Sequence, residues 1–133
     1  MKSQSIVSWR GIAFENLCFN HIKQIKAALG ISGVVTKQFA WSKRKDDKDG
    51  TQIDMLIERN DNIVNMCEMK FYSDDFTVDN NYYRAILRRQ ELLSDEIPST
   101  KAIHSTLITT FGLTYNEYSG AFSKVTILDD LFA

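Results

Sequence analysis

Apolar residues recur along the first part of the chain at the spacing of a helix. Trp9, Ile12, Phe14, Leu17, Cys18, Ile22, Ile25 and Leu29 mark one long segment, with Ser8 as its N-cap and Gly30 as its stop. Beyond it the period shortens to two. Val35, Phe39 and Trp41 alternate with more polar neighbours and predict a strand, and the charged stretch 43–50, closing on Asp49 and Gly50, predicts a mobile hairpin connection. Residues 51–58 and 63–71 are β-rich runs parted by Arg59, Asn60, Asp61 and Asn62, which predicts an antiparallel hairpin. Both faces of that hairpin carry apolar side chains, so it belongs in the covered middle of a sheet.

Asp79 stands where it would cap a second helix running to about Asp95, with Tyr82, Tyr83, Ile86, Leu87 and Leu93 on its apolar side and Pro98 beyond its end. Residues 101–110, rich in Thr and β-branched side chains, predict a fourth strand. A short fifth strand, 124–127, follows a loop containing Gly112 and Gly120, and 128–132 read as a final turn of helix. The order αβββαββ predicts an α/β domain whose mixed central sheet of four to five strands is flanked by helices.

Composition narrows the setting. With 133 residues, 44% hydrophobic and 25% charged, the chain has the makeup of one globular domain with one sizeable core. A formal charge of −1 supplies no global attraction for nucleic acid, so any hold on phosphates must come from local basic patches or bound cations. Cys18 and Cys67 are too few and too far apart for a metal knuckle and sit in apolar patterns as small core residues do. Residues 1–8 lack the apolar stretch of a signal peptide, and no apolar run reaches membrane-spanning length. The expectation is a soluble protein of the reducing cytoplasm.

Candidate chemistry lies in the central hairpin. Asp54 interrupts the apolar run Ile53-Asp54-Met55-Leu56-Ile57, and Glu68 and Lys70 interrupt Met66-Cys67-Glu68-Met69-Lys70-Phe71. Charges in buried strands need partners: two carboxylates can share a divalent cation, and a nearby lysine can balance the remaining charge. Glu68 and Lys70 share a face by alternation. Asp54 joins them only if a three- or five-residue loop, or a bulge, sets the register; a plain four-residue loop turns it away. A buried Asp, Glu and Lys network that merely satisfies itself is the competing reading.

A strand carboxylate, a short hairpin and then Glu-x-Lys resembles the PD-(D/E)XK nuclease superfamily, which includes restriction endonucleases, junction resolvases and repair nucleases. Ile53 stands where the family name has proline. Trp9-Arg10-Gly11-Ile12-Ala13-Phe14-Glu15 looks like the family's opening helix, whose acidic residue reaches toward the metal, so Glu15 is the matching position; on its own it reads as a solvated helix carboxylate. The resemblance implies a restriction-endonuclease-like three-layer sandwich. It further implies that Asp54, Glu68 and the Met69 carbonyl hold Mg²⁺ or Mn²⁺, hard cations suited to oxygen ligands. Lys70 would orient or deprotonate the attacking water, or else form a salt bridge, and Glu15 would act through the metal's water shell. Gln52, on the strand of Asp54, is assigned to structure.

Arg84 and Arg88, one turn apart with Arg89 beside them, form a basic face on the second helix. Helix arginines are ordinarily solvated or paired, whereas the resemblance places this helix beside the site and implies a hold on DNA phosphates. Lys43, Arg44, Lys45 and Lys48 are offset by Asp46, Asp47 and Asp49, and His21 and His104 lie far apart without a nucleophile motif. The tyrosines suit a core or an interface as well as base stacking.

More narrowly, runs 50–59, 67–71 and 128–132 look like the C-terminal nuclease-like domain of bacterial and archaeal AAA-type ATPases. The chain carries no phosphate-loop motif, so it is expected to be such a domain cut from its ATPase module, with Met1 an internal or added start. Two functions follow. One is a Mg²⁺-dependent deoxyribonuclease, and the other is a nuclease-fold domain that contacts its N-terminal ATPase module or a partner protein without catalysis.

Overall fold

A computed structural model of the chain describes residues 2–43 and 51–133, residues 2–8 by their backbone alone. Helix α1 spans Lys2–Phe19 and α2 spans Ile22–Ala28; strands β1 (Thr36–Lys43), β2 (Thr51–Arg59) and β3 (Ile63–Lys70) follow. Then come α3 (Asn80–Ser94), β4 (Ala102–Thr109) and β5 (Lys124–Ile127), and Leu128–Phe132 closes the chain as a 3₁₀ turn. The order agrees with αβββαββ except that the single first helix is two.

That helix differs from expectation at both ends. It runs back through Ser8 to Lys2, so Ser8 is not its N-cap. It breaks at Asn20 and His21, where the His21 N–H turns to the carbonyl of Cys18 and its ring Nδ1 donates to the carbonyl of Leu17, diverting two groups from the helical ladder. Gly30 does end α2. It takes φ +74°, a conformation open to glycine, and the Ile31 and Gly30 N–H groups return to the carbonyls of Lys26 and Ala27. The buried stripe of α1 is Phe14 and Cys18, one turn apart, and Trp9 and Ile12, expected on it, are exposed because they project from another side of the helix.

The five strands lie in sequence order, antiparallel from β1 to β3 and parallel from β3 to β5. The hairpin β2–β3 is central, as expected, and β3 is buried on both faces from Val64 to Met69. Its register pairs Met55 with Cys67 and Glu58 with Val64, leaving Asn60, Asp61 and Asn62 as a three-residue turn. Asn62 takes φ +65° to close it, a conformation that asparagine tolerates better than most side chains.

Two apolar clusters sandwich the sheet. Phe14, Cys18 and Ile25 of the first two helices pack on Met55, Ile57, Cys67, Met69 and Ile108. On the other face Ile86 and Leu93 of α3 pack on Ile53, Leu56, Val64, Met66 and Leu107. Leu87, expected on the apolar side of α3, is exposed, since it lies about 100° round the helix from the buried Ile86. The Asp79 carboxylate caps α3 by accepting the Tyr82 N–H at 2.7 Å. Apart from Lys43, which pairs with Glu96, the predicted charged connection 43–50 lies outside the described residues. Among the described residues no helix is long and apolar enough to cross a membrane.

Candidate active site

The site forms where the β2–β3 ladder opens. Between Phe39 and Trp41 the β1–β2 register shifts, so that three steps along β2, from Ile53 to Leu56, oppose two along β1. This bulge breaks alternation: Ile53 and Leu56 both join the α3-side cluster, while Met55 joins the opposite one. Asp54 is therefore freed from the simple in-or-out choice. Its Oδ2 accepts the Met69 N–H at 2.8 Å, so a side chain takes the place of a main-chain acceptor just past the last paired residues, Met55 and Cys67.

Glu68 is buried, with 3% of its surface exposed, on the α3 side of β3. Its Oε1 accepts Arg89 Nη1 at 2.6 Å and the Tyr82 hydroxyl at 2.9 Å. Its Oε2 is buried and has no hydrogen-bond partner among the described residues. Burial raises the Glu68 pKa above the ordinary value; Arg89 opposes that shift, Asp54 adds to it, and Tyr82 and Lys70 oppose it more weakly. Asp54 likewise adds to the burial that raises the pKa of Glu15 on α1. The Asp54 charge thus opposes ionisation of both Glu15 and Glu68, an arrangement that positive charge at the seam would relieve.

Lys70 lies two residues on from Glu68. Its Nζ sits 4.9 Å from the Tyr82 ring centre and 6.0 Å from that of Phe76, within cation–π range. The Arg89 guanidinium flanks the same Tyr82 ring at 5.9 Å. Burial, with the neighbouring Glu68 carboxylate, pushes the Tyr82 hydroxyl far above its usual range, so it stays a donor to Glu68. Cys67, buried beneath these groups, has its thiol pushed up by burial and is chemically quiet.

Of the residues singled out from sequence, Asp54, Glu68, Lys70 and Met69 meet at the end of one hairpin, and Glu15 is close enough for its charge to feel Asp54. Arg84 and Arg88 are exposed on α3. Arg89 turns inward, its side chain 24% exposed and paired with Glu68. Gln52 is exposed, and His21 is occupied by Leu17 and the Phe132 ring. Sequence reasoning missed the roles of Tyr82 and Arg89, although a signal was present. Tyr82, Ile86, Arg89 and Leu93 follow the 4-3-4 spacing of a buried stripe, and an arginine on such a stripe calls for an internal anion.

Among the described residues no group of three or more His, Cys, Asp or Glu side chains is placed to hold a metal ion. A cation at this seam would rest on two carboxylates completed by a main-chain oxygen and water, the manner usual for Mg²⁺. The buried Oε2 of Glu68, without a hydrogen-bond partner among the described residues, and the hard-oxygen donor set fit such an ion.

No family model and no curated protein matches the chain. A crystal structure described as that of a protein of unknown function, AF1548, is similar at a TM-score of 0.49 and 16% identity, covering 83% of this chain and 56% of that one. The chain thus spans little more than half the length of that structure.

Proposed function

We propose that this chain is a restriction-endonuclease-like domain of the PD-(D/E)XK kind that hydrolyses phosphodiester bonds of DNA with Mg²⁺ or Mn²⁺, as part of a larger AAA-type ATPase. The observation that carries the reading is the buried Glu68 carboxylate, one oxygen held and the other without a hydrogen-bond partner among the described residues, beside Asp54 and Lys70 at the opened end of the hairpin. Asp54, Glu68 and the Met69 carbonyl would hold the cation. When bound, such an ion lowers the pKa of a coordinated water and offsets charge on the phosphate. Arg89 and Tyr82 hold Glu68 in place through its other oxygen. Lys70, steadied by the Phe76 and Tyr82 rings, offers its ammonium to charge developing on the phosphate oxygens. Glu15 acts at the margin, on water, while Arg84 and Arg88 on α3 offer positive charge to the DNA backbone. The ATPase context rests on the likeness of runs 50–59, 67–71 and 128–132.

One observation favours a second reading. The Arg89–Glu68–Tyr82 network already satisfies one carboxylate oxygen, as a structural ion pair would, and on that reading the domain serves as a catalytically silent contact surface for its ATPase module or a partner protein. Incubating single-stranded, duplex and branched DNA with the protein and Mg²⁺ or Mn²⁺ separates the two. Product that requires the cation and vanishes in Lys70→Ala is expected. The absence of cleavage of every form, together with no cation-dependent rise in the unfolding temperature, replaces hydrolysis with the contact-surface reading.

A further inference from the structure

Past the carboxylate and the lysine, β3 runs directly into two aromatic residues that the site has not used. Phe71 and Tyr72 are 45% and 49% exposed, large apolar rings left in water at the exit of a strand that is otherwise buried. Their backbone is pinned. Thr109 Oγ1 donates to the Lys70 carbonyl at 2.7 Å, and Thr110 Oγ1 accepts the Tyr72 N–H and donates to its carbonyl, each at 2.7 Å. The rings are braced edge-on as well, Phe71 against Phe14 at 5.7 Å and Tyr72 against Phe76 at 5.8 Å. Arg10, one helical turn before Phe14, Phe71, Tyr72 and Ser73 line a groove of about 300 Å³.

We propose that this groove binds single-stranded DNA, with bases stacked on Phe71 and Tyr72 and a phosphate on Arg10, and delivers the strand to Lys70 and Glu68. The proposal rests on the hydrolytic reading of the site and supplies its substrate form. Rings held at fixed positions are a stacking surface prepared in advance, and every base of an unpaired strand offers a matching face, whereas a duplex hides its faces within the helix. Charge favours the same occupant. Asp74 and Asp75 follow at once, both exposed, so the single phosphate line of an unpaired strand held by Arg10 meets less repulsion there than the two lines of a duplex. The rings also stand next to the chemistry: at the rise of an extended chain, Tyr72 lies no more than roughly 14 Å along the backbone from Glu68.

Fluorescence anisotropy of the full chain in EDTA tests this without cleavage, using a labelled oligothymidylate of about 12 nucleotides, within the range such surfaces cover, and a duplex of equal length. The single strand should bind more tightly than the duplex. Phe71→Leu and Tyr72→Leu keep apolar bulk for the packing against Phe14 and Phe76 but lose the ring face, and each should weaken single-strand binding about tenfold. Their unfolding midpoints report whether the fold is kept, and Arg10→Ala, exposed on its helix, should weaken binding and reduce the salt dependence by the ~0.7 logarithmic slope of one phosphate. Equal or tighter binding of the duplex, or binding unchanged in both leucine variants, overturns the platform. Cleavage by the wild type that persists with unchanged KM in those variants overturns it too while hydrolysis stands. Single-strand binding in EDTA, with no cleavage of any DNA form under Mg²⁺ or Mn²⁺ and no cation-dependent rise in the unfolding temperature, upholds the platform and removes the hydrolytic reading instead.

Discussion

The two ends of the β2–β3 hairpin carry charged groups in the same strands and treat them in opposite ways. At the turn, Arg59 donates Nε and Nη2 to both oxygens of Asp61 at 2.9 and 2.6 Å and reaches Asn65 Oδ1 with Nη1, while Asn65 Nδ2 donates to Thr106. Each of these groups has a partner within a few residues or on the neighbouring strand. At the open end, Asp54 is committed to a main-chain N–H and Glu68 keeps a buried oxygen with no hydrogen-bond partner among the described residues. A local, paired arrangement closes a turn; the long-range one leaves an oxygen of Glu68 without a hydrogen-bond partner among the described residues, the feature on which the proposed cation site rests. Charge within a strand is thus no guide to function until its partners are known.

The titration of the two ends differs in sign. Asp61 is held below its ordinary pKa first by its hydrogen bond from Arg59, so its contribution to stability is present above 3.8 and is lost as pH falls through its lowered folded value. Glu68 is held above 4.5 by burial, so its contribution is fully present below 4.5 and is lost as pH rises through its raised folded value. A divalent cation at the open end would favour the ionised carboxylate and oppose that loss.

The largest expected effect is on activity: Glu68→Gln and Lys70→Ala each lower cation-dependent DNA cleavage by at least about a hundredfold, the scale of losing one electrostatic stabiliser, as product formation on the best substrate reads out. A residual rate near wild type in either variant breaks the contrast between the ends. Next, Arg89→Ala strands the Glu68 carboxylate in the sheet and should cost about 3 kcal/mol in urea unfolding at neutral pH, shrinking as the pH is lowered and Glu68 takes up a proton. A loss that does not depend on pH assigns Arg89 to packing instead. Asn62→Ala acts at the other end, where forcing alanine to φ +65° should cost about 1 kcal/mol with no change in metal response.

The smallest effects sharpen the sign difference. Without divalent cations, the wild type should lose stability relative to Glu68→Gln as pH rises above 4.5, and Mg²⁺ should reduce that loss. Asp61→Asn, at an exposed pair, should show only a slight deficit, present at neutral pH and gone in acid. Parallel slopes in the two variants would erase the distinction between the ends.

Much of the architecture was legible because it depends on short-range patterns. Asp79 capping, the run of apolar residues on both faces of 63–70, the boundaries of 124–127 and the closing turn all follow from residues within one or two turns of each other. Gly30 was legible for the same reason. The break at His21 was not, since it comes from a ring nitrogen competing for the Leu17 carbonyl inside an unbroken apolar pattern. Nor was the inward turn of Arg89, although its place on the stripe of Ile86 and Leu93 hinted at it.

From the sequence alone came the α/β order, the central hairpin and the pairing of Glu68 with Lys70 on one face, because helix and strand periodicity are properties of the local backbone. The relation of Asp54 to Glu68 was beyond it. Loop lengths of three, four or five residues were all compatible with the sequence between the two strands; three or five bring Asp54 to the face of Glu68, and a plain four turns it away. The tertiary structure decided it through a three-residue turn closed by Asn62 and a bulge against β1. Which oxygen of Glu68 is held and which is left alone was settled only when α3 packed across the sheet and brought Tyr82 and Arg89 to it, from residues 14 and 21 positions away along the chain.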